Sequence, residues 1–161
     1  EQELMRQPRL VNSRDAYGAS LLNWSVTNGR YDTVEMLLLL VNIDLYTCDK
    51  NKDTIMHDAV KAYCLCNEEK KKNIYAQIIV LLIERGASYT RRNAQLLSPL
   101  DIAKEMNKTS KSATYCDDIV ALFNKGFKNY DDRLNASIHV SKNRVAEQPS
   151  IHKWTSTLVD H

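Results

Sequence analysis

Apolar and polar positions along the chain repeat one pattern three times. Segments Asp15–Asn23, Asp49–His57 and Asn93–Asp101 align without gaps. One column holds the hydroxyls Ser20, Thr54 and Ser98, and the aliphatics Leu22, Met56 and Leu100 follow two places later. Polar Asn23, His57 and Asp101 come three places after the hydroxyl, and small Ser25, Ala59 and Ala103 five places after. Thr54 lies 34 residues beyond Ser20, and Ser98 lies 44 beyond Thr54. A fixed recurrence of this length points to stacked supersecondary units.

Each column has a physical reason. An opening Asp or Asn suits a turn, where the short side chain accepts from nearby amides. The hydroxyl reads as a helix N-cap that satisfies an orphaned first-turn amide, and the polar residue three places on can bond back to it. Pro99 stands at the first helical position, where its missing N–H costs nothing. The small residue lets a neighbouring helix approach. A second helix is expected in each unit from Asp32–Leu38, Gln77–Ile83 and Asp118–Phe123, each a polar opener followed by aliphatics on more than one face. Such a helix must be covered on several sides, as stacking would do. Gly86 is placed to close the second of them as a left-handed C-cap.

These segments resemble the ankyrin repeat, with its turn Asp and Gly, its Thr-Pro-Leu-His, its Ala, its Leu-Leu helix and its closing Gly-Ala. The resemblance covers roughly residues 8–124. It implies an all-α solenoid of stacked helix-turn-helix units with short hairpin-like loops. The implied divisions are 1–14 as the end of a preceding repeat or an N-terminal cap, then repeats at 15–48, 49–92 and 93–127, and 128–161 as a degenerate cap or tail. Two features depart from the family pattern. The turn glycine appears once, as Gly18, with Lys52 and Leu96 in its later places. The second and third units also carry inserts of 11 and 8 residues, near 62–73 and 106–115, expected as lysine-bearing loops (Lys70, Lys71, Lys72, Lys108, Lys111). Asp132–Ser141 holds a faint echo of another unit, through Ser137 and His139.

Such stacks bind proteins through hairpin tips and the concave face of the first helices. Carried onto this chain, the candidate partner-binding residues are Tyr17, Thr27 and Asn28 in the first unit, with Ala16 and Ala19 beside them. In the second unit they are Lys50, Asn51, Asp53 and Lys61, and in the third Gln95, Leu97 and Glu105, beside Ala94. Tyr17 stands out, because aromatic residues often carry interface energy. The implied function is a non-catalytic scaffold or adaptor for a protein partner. The same resemblance also fits an accessory module of a larger enzyme or channel, or an inhibitor-of-NF-κB-like protein that blocks a transcription factor.

Composition narrows this further. The net charge of +2 lacks the one-signed excess of a nucleic-acid binder, so no nucleic-acid partner is expected. The longest apolar run, Met36–Val41, is too short to insert in a membrane, and Glu1–Leu10 has no apolar stretch of the kind a secretory leader needs. The four cysteines read as reduced thiols of an intracellular protein, cytoplasmic or nuclear. No glycine-rich phosphate loop and no nucleophile turn occur, so neither cofactor nor catalysis is expected. Cys64, Cys66 and His57 could in principle approach zinc, but they lack the usual spacing and a fourth ligand.

Overall fold

The computed structural model describes residues 8–40, 42–109 and 115–146. Among these the secondary structure is helical, with two isolated β-bridges, Arg14 to Ser20 and Cys48 to Thr54, and no strand. The helices are α1 (Pro8–Val11), α2 (Leu21–Thr27), α3 (Tyr31–Leu38), α4 (Ile55–Leu65), α5 (Glu69–Glu84), α6 (Pro99–Thr109) and α7 (Tyr115–Ala146). The chain divides into two units, residues 1–130 and 131–161. Helices α1 to α6 and the first half of α7 lie in the first unit, and the described part of the second is the continuing helix to Ala146.

Helices α2, α4 and α6 begin where the hydroxyl column says they should. Ser20 accepts from the Asn23 amide, and Asn23 Oδ1 accepts in return from the Ser20 amide at 3.1 Å. His57 Nδ1 accepts from the Thr54 amide at 3.0 Å. In the third unit the Asp101 carboxylate accepts from the Ser98 amide at 3.1 Å and from the Ser98 hydroxyl at 2.8 Å. Each cap fixes a helix start against a preceding turn.

The core follows the periodicity. Leu22 and Met56 are buried, and so are Ser25, Ala59 and Ala103 beneath the packing helices. Leu100, in the same column as Leu22 and Met56, is only half-buried, and Ile102 and Ala103 carry the buried side of α6. Helix α4 packs against α2 and α6 as well as its own partner α5, and α5 packs against α3. Six consecutive residues of α5, Ile78–Ile83, are buried. Covering on more than one side is what makes so apolar a helix tolerable. Gly126 of α7 lies against Ile83 so closely that a Cβ there would stand 2.8 Å from that of Ile83.

The inserts correct the sequence reading. Near 62–73 the extra residues lengthen α4 and α5, leaving only 66–68 as connection. The physical reason is composition: Ala, Leu, Glu and Lys favour helix, and an i,i+3 ion pair of Glu68 with Lys71 at 2.8 Å supports the start of α5. Lys72 is held over the rings of Tyr63 and Tyr115, at 4.9 and 5.1 Å from their centroids. Near 106–115, α6 runs on to Thr109 and α7 opens at Tyr115, while Lys111 lies outside the described residues. The region expected as a degenerate cap or tail is helical as far as Ala146: 128–146 continues α7, so Ser137 and His139 sit within a helix. Residues 147–161, and 1–7 of the expected first segment, lie outside the described residues.

Candidate functional site

Three turns stand at one edge of the helices, and their hydrogen bonds are the same. Asp15 Oδ1 accepts from the amides of Tyr17 (2.8 Å) and Ala19 (2.9 Å). Asp49 Oδ1 accepts from those of Asn51 and Asp53, both at 2.8 Å. Asn93 Oδ1 accepts from those of Gln95 (3.0 Å) and Leu97 (3.1 Å). Closing backbone bonds run from the Gly18, Lys52 and Leu96 amides to the carbonyls of Asp15, Asp49 and Asn93, each 3.0 Å. The geometry demands a left-handed residue at the fourth position. Gly18 has φ 86, and Lys52 and Leu96 are forced to φ 59 and 61. The turn therefore keeps its shape without glycine, at the cost of backbone strain that glycine avoids.

Neighbouring turns touch. A Cβ at Gly18 would meet Asp49 Cα at 3.4 Å, and the Ala94 amide donates to the Asn51 carbonyl at 2.8 Å. Arg14 donates to the Cys48 carbonyl at 2.7 Å. Deeper in, Asn93 Nδ2 donates to Asp53 Oδ1 at 2.8 Å, Asn23 Nδ2 donates to Asp58 Oδ2 at 2.7 Å, and His57 Nε2 donates to the Leu97 carbonyl at 2.9 Å. The frame beneath the tips is thus continuous.

The candidate residues divide accordingly. Tyr17 is 77% exposed at the first tip, and Ala16, Lys50, Asn51, Ala94 and Gln95 are exposed at the tips. On the first helices, Thr27, Asn28 and Glu105 are exposed. Thr27 and Asn28 also close α2, with Tyr75 Oη donating to the Thr27 carbonyl at 2.9 Å. Leu97 and Ala19 are half-buried beneath the tips. Asp53 departs from the expectation of a surface position. It is 3% exposed, and its carboxylate is held by Asn93 and by the Lys61 ammonium at 2.5 Å. Lys61 is correspondingly only partly exposed, so neither residue is a free contact.

Three exposed side chains escaped the sequence reading. Leu96 is 71% exposed at the third tip, Lys52 is exposed at the second, and Trp24 is 57% exposed on α2. The signal for Lys52 and Leu96 lay in the glycine column, where a residue with a side chain must point away from the turn. For Trp24 it lay in helical period, since Leu22, Ser25 and Val26 share the buried side.

Titratable groups beneath the tips serve structure. Burial pushes the His57 pKa down, and both ring nitrogens are engaged, so no lone pair is left for a metal. Burial raises the Asp58 carboxyl to about 6, against the opposing bond from Asn23. Burial raises the Cys64 thiol to about 11, so it stays protonated and a poor nucleophile at neutral pH. No group of three or more metal-ligating side chains occurs among the described residues. An open cleft of about 590 Å³ on the second-helix side, lined in part by Tyr31, Gln77, Glu84, Leu122 and Asn129, has no histidine or cysteine in its wall. No helix among the described residues is long and apolar enough to cross a membrane.

No family model matches the sequence. No curated protein matches it either. Among solved structures, a chain is similar in the structure of the Bd0816 predatory endopeptidase from Bdellovibrio bacteriovorus in complex with immunity protein Bd3460. The two are 15% identical over 74% of this chain and 89% of that one, with a TM-score of 0.34. At that score the likeness carries no argument about fold or function.

Proposed function

We propose that the chain is an ankyrin-type repeat stack that binds a protein partner through its hairpin tips and the adjoining first-helix face, with no chemistry of its own. The observation that supports this best is the contrast between frame and tips. Asp15, Asp49 and Asn93 make the same two amide contacts, while the exposed positions two places on are unlike one another: Tyr17, Asn51 and Gln95. A constant frame that presents variable exposed side chains suits recognition, because the frame loses little order on binding. Protonated Cys64 and the fully engaged His57 support the non-catalytic half of the reading.

Affinity capture from native extract tests it. The parent protein, a Tyr17→Ala/Gln95→Ala variant and a Lys70→Ser/Lys71→Ser/Lys72→Ser variant are immobilised side by side. The reading expects the tip variant to lose the captured protein at least about tenfold and the lysine variant to retain it. Retention by the tip variant with loss by the lysine variant would move the working surface to the start of α5.

A further inference from the structure

Leu96 is costly where it stands. A left-handed residue with a Cβ is strained relative to glycine. Burial could offset that, but Leu96 is 71% exposed. Little of its side chain is covered in the free protein. Strain of this kind, kept without a return in folding, marks a position held for contact with something else. At the opposite end of the row, Tyr17 is 77% exposed.

Between these two apolar ends lies a basic tip. Lys50 and Lys52 are both exposed, and neither side chain has a hydrogen bond or ion pair among the described residues. Arg92 stands beside the third tip, donating to the Leu96 carbonyl at 2.5 Å. Of the nearby carboxylates, Asp53 is buried on Lys61 and Asn93, and Asp15 and Asp49 each hold backbone amides through one oxygen. Asp101 lies 3.5 Å from Arg92, so the unpaired basic groups of the row are Lys50 and Lys52. The outward row therefore reads aromatic, basic, aliphatic.

From this row we infer that the tips recognise an extended acidic polypeptide segment, with one apolar anchor at Tyr17, another at Leu96 and carboxylates over Lys50 and Lys52. The inference rests on the tips being the binding surface. Packed helices stand about 8–10 Å apart, so two steps along the row span roughly 20 Å. An extended chain advances about 3.3–3.6 Å per residue, which places the two anchors about six residues apart. The acidic residues fall between them.

Fluorescence anisotropy with a defined probe tests this. The probe is a fluorescein-labelled peptide of about a dozen residues, with two leucines six positions apart and two glutamates between them. A second peptide replaces the glutamates with lysines, and a single-stranded DNA of similar length serves as a generic polyanion. The acidic peptide is expected to bind the 161-residue protein at least about tenfold more tightly than either of the others. Leu96→Gly should weaken that binding about tenfold while raising the melting temperature, a pairing that a merely structural role does not produce. Lys50→Glu/Lys52→Glu should weaken it as much or more, with the fold unchanged by circular dichroism. Failure of the acidic peptide to bind, equal binding of the lysine peptide, or unchanged affinity in Leu96→Gly overturns the proposal. Tighter binding of the DNA overturns it in favour of nucleic acid. Should the peptide fail while photo-cross-linkers at the tips still capture a protein, the surface stands and the partner chemistry is wrong.

Discussion

Asn93 Nδ2 donates to Asp53 Oδ1 at 2.8 Å, binding the third turn to a carboxylate buried in the second. Lys61 holds the other oxygen of the same carboxylate. The first two turns open with Asp and the third with Asn, and this contact supplies the reason: only an amide can accept from its own turn and also donate to Asp53. Asn93→Asp, which would make the third turn like the others, is therefore destabilising. It sets two carboxylates against each other in a buried place and should cost roughly 2–4 kcal/mol at neutral pH. Urea denaturation at pH 7 checks this, and a cost below about 0.5 kcal/mol would show that the contact is not formed. Lys61→Glu acts on the same carboxylate. It places a second acid beside Asp53 and should destabilise, so it is not a neutral probe of binding.

Those contacts also mark what a sequence can reveal here. The caps of Ser20 with Asn23, Thr54 with His57 and Ser98 with Asp101 join residues three apart, and local spacing predicts them. Asn93 and Asp53 are 40 apart, so nothing in the column of Asp and Asn says which one donates across turns. The inserts were legible as extra residues but not as helix, because an alignment gap counts residues without giving their conformation. Helix α7 is more legible: Phe127, Tyr130, Leu134 and Ile138 keep a helical spacing, and no Gly or Pro interrupts the chain from there to Ala146.

Glycine at the strained tip positions should raise stability. Lys52→Gly and Leu96→Gly each relieve a left-handed side-chain residue, partly offset by the greater freedom of glycine in the unfolded chain, for a net gain of about 0.5–1 kcal/mol. Gly18→Ala should do the reverse, at φ 86 and with its new Cβ 3.4 Å from Asp49 Cα. Thermal melts of the three variants give the signs directly. A loss of stability in both glycine variants would mean those side chains support the turn.

Gly126→Ala probes the seat of α7 on α5. The added methyl would stand 2.8 Å from Ile83 Cβ and 2.9 Å from its Cγ2, so one helix must shift. Overpacking of this kind costs typically about 1–3 kcal/mol. The expected result is a lower denaturation midpoint, and an unchanged or higher one would place α7 further from α5 than described.

Asp58 and His57 give the pH dependence opposite signs. Asp58 is raised in the fold from 3.8 to about 6, so the folded state holds a proton that the unfolded chain releases first. Its contribution to stability therefore falls as pH rises from about 4 to 6. His57 is lowered, so its contribution is complete above the unfolded value near ~6.5 and is lost as pH drops below it. Asp58→Asn removes the first effect and keeps an acceptor for Asn23. The variant should gain on the parent by at least about 1 kcal/mol between pH 4 and pH 7. Chemical denaturation at several pH values checks this, and a constant difference across that range would show that Asp58 titrates normally.

The central claim is that partners meet the tips, and photo-cross-linking tests it most directly. Benzoylphenylalanine is placed singly at Tyr17, at Gln95 and, on the second-helix side, at Gln77, and each protein is irradiated in native extract. All three positions are exposed, so reactivity alone does not favour any of them. Binding at the tips predicts a discrete adduct of the same mass from Tyr17 and Gln95, and none from Gln77. An adduct from Gln77 with silence at both tips would contradict it.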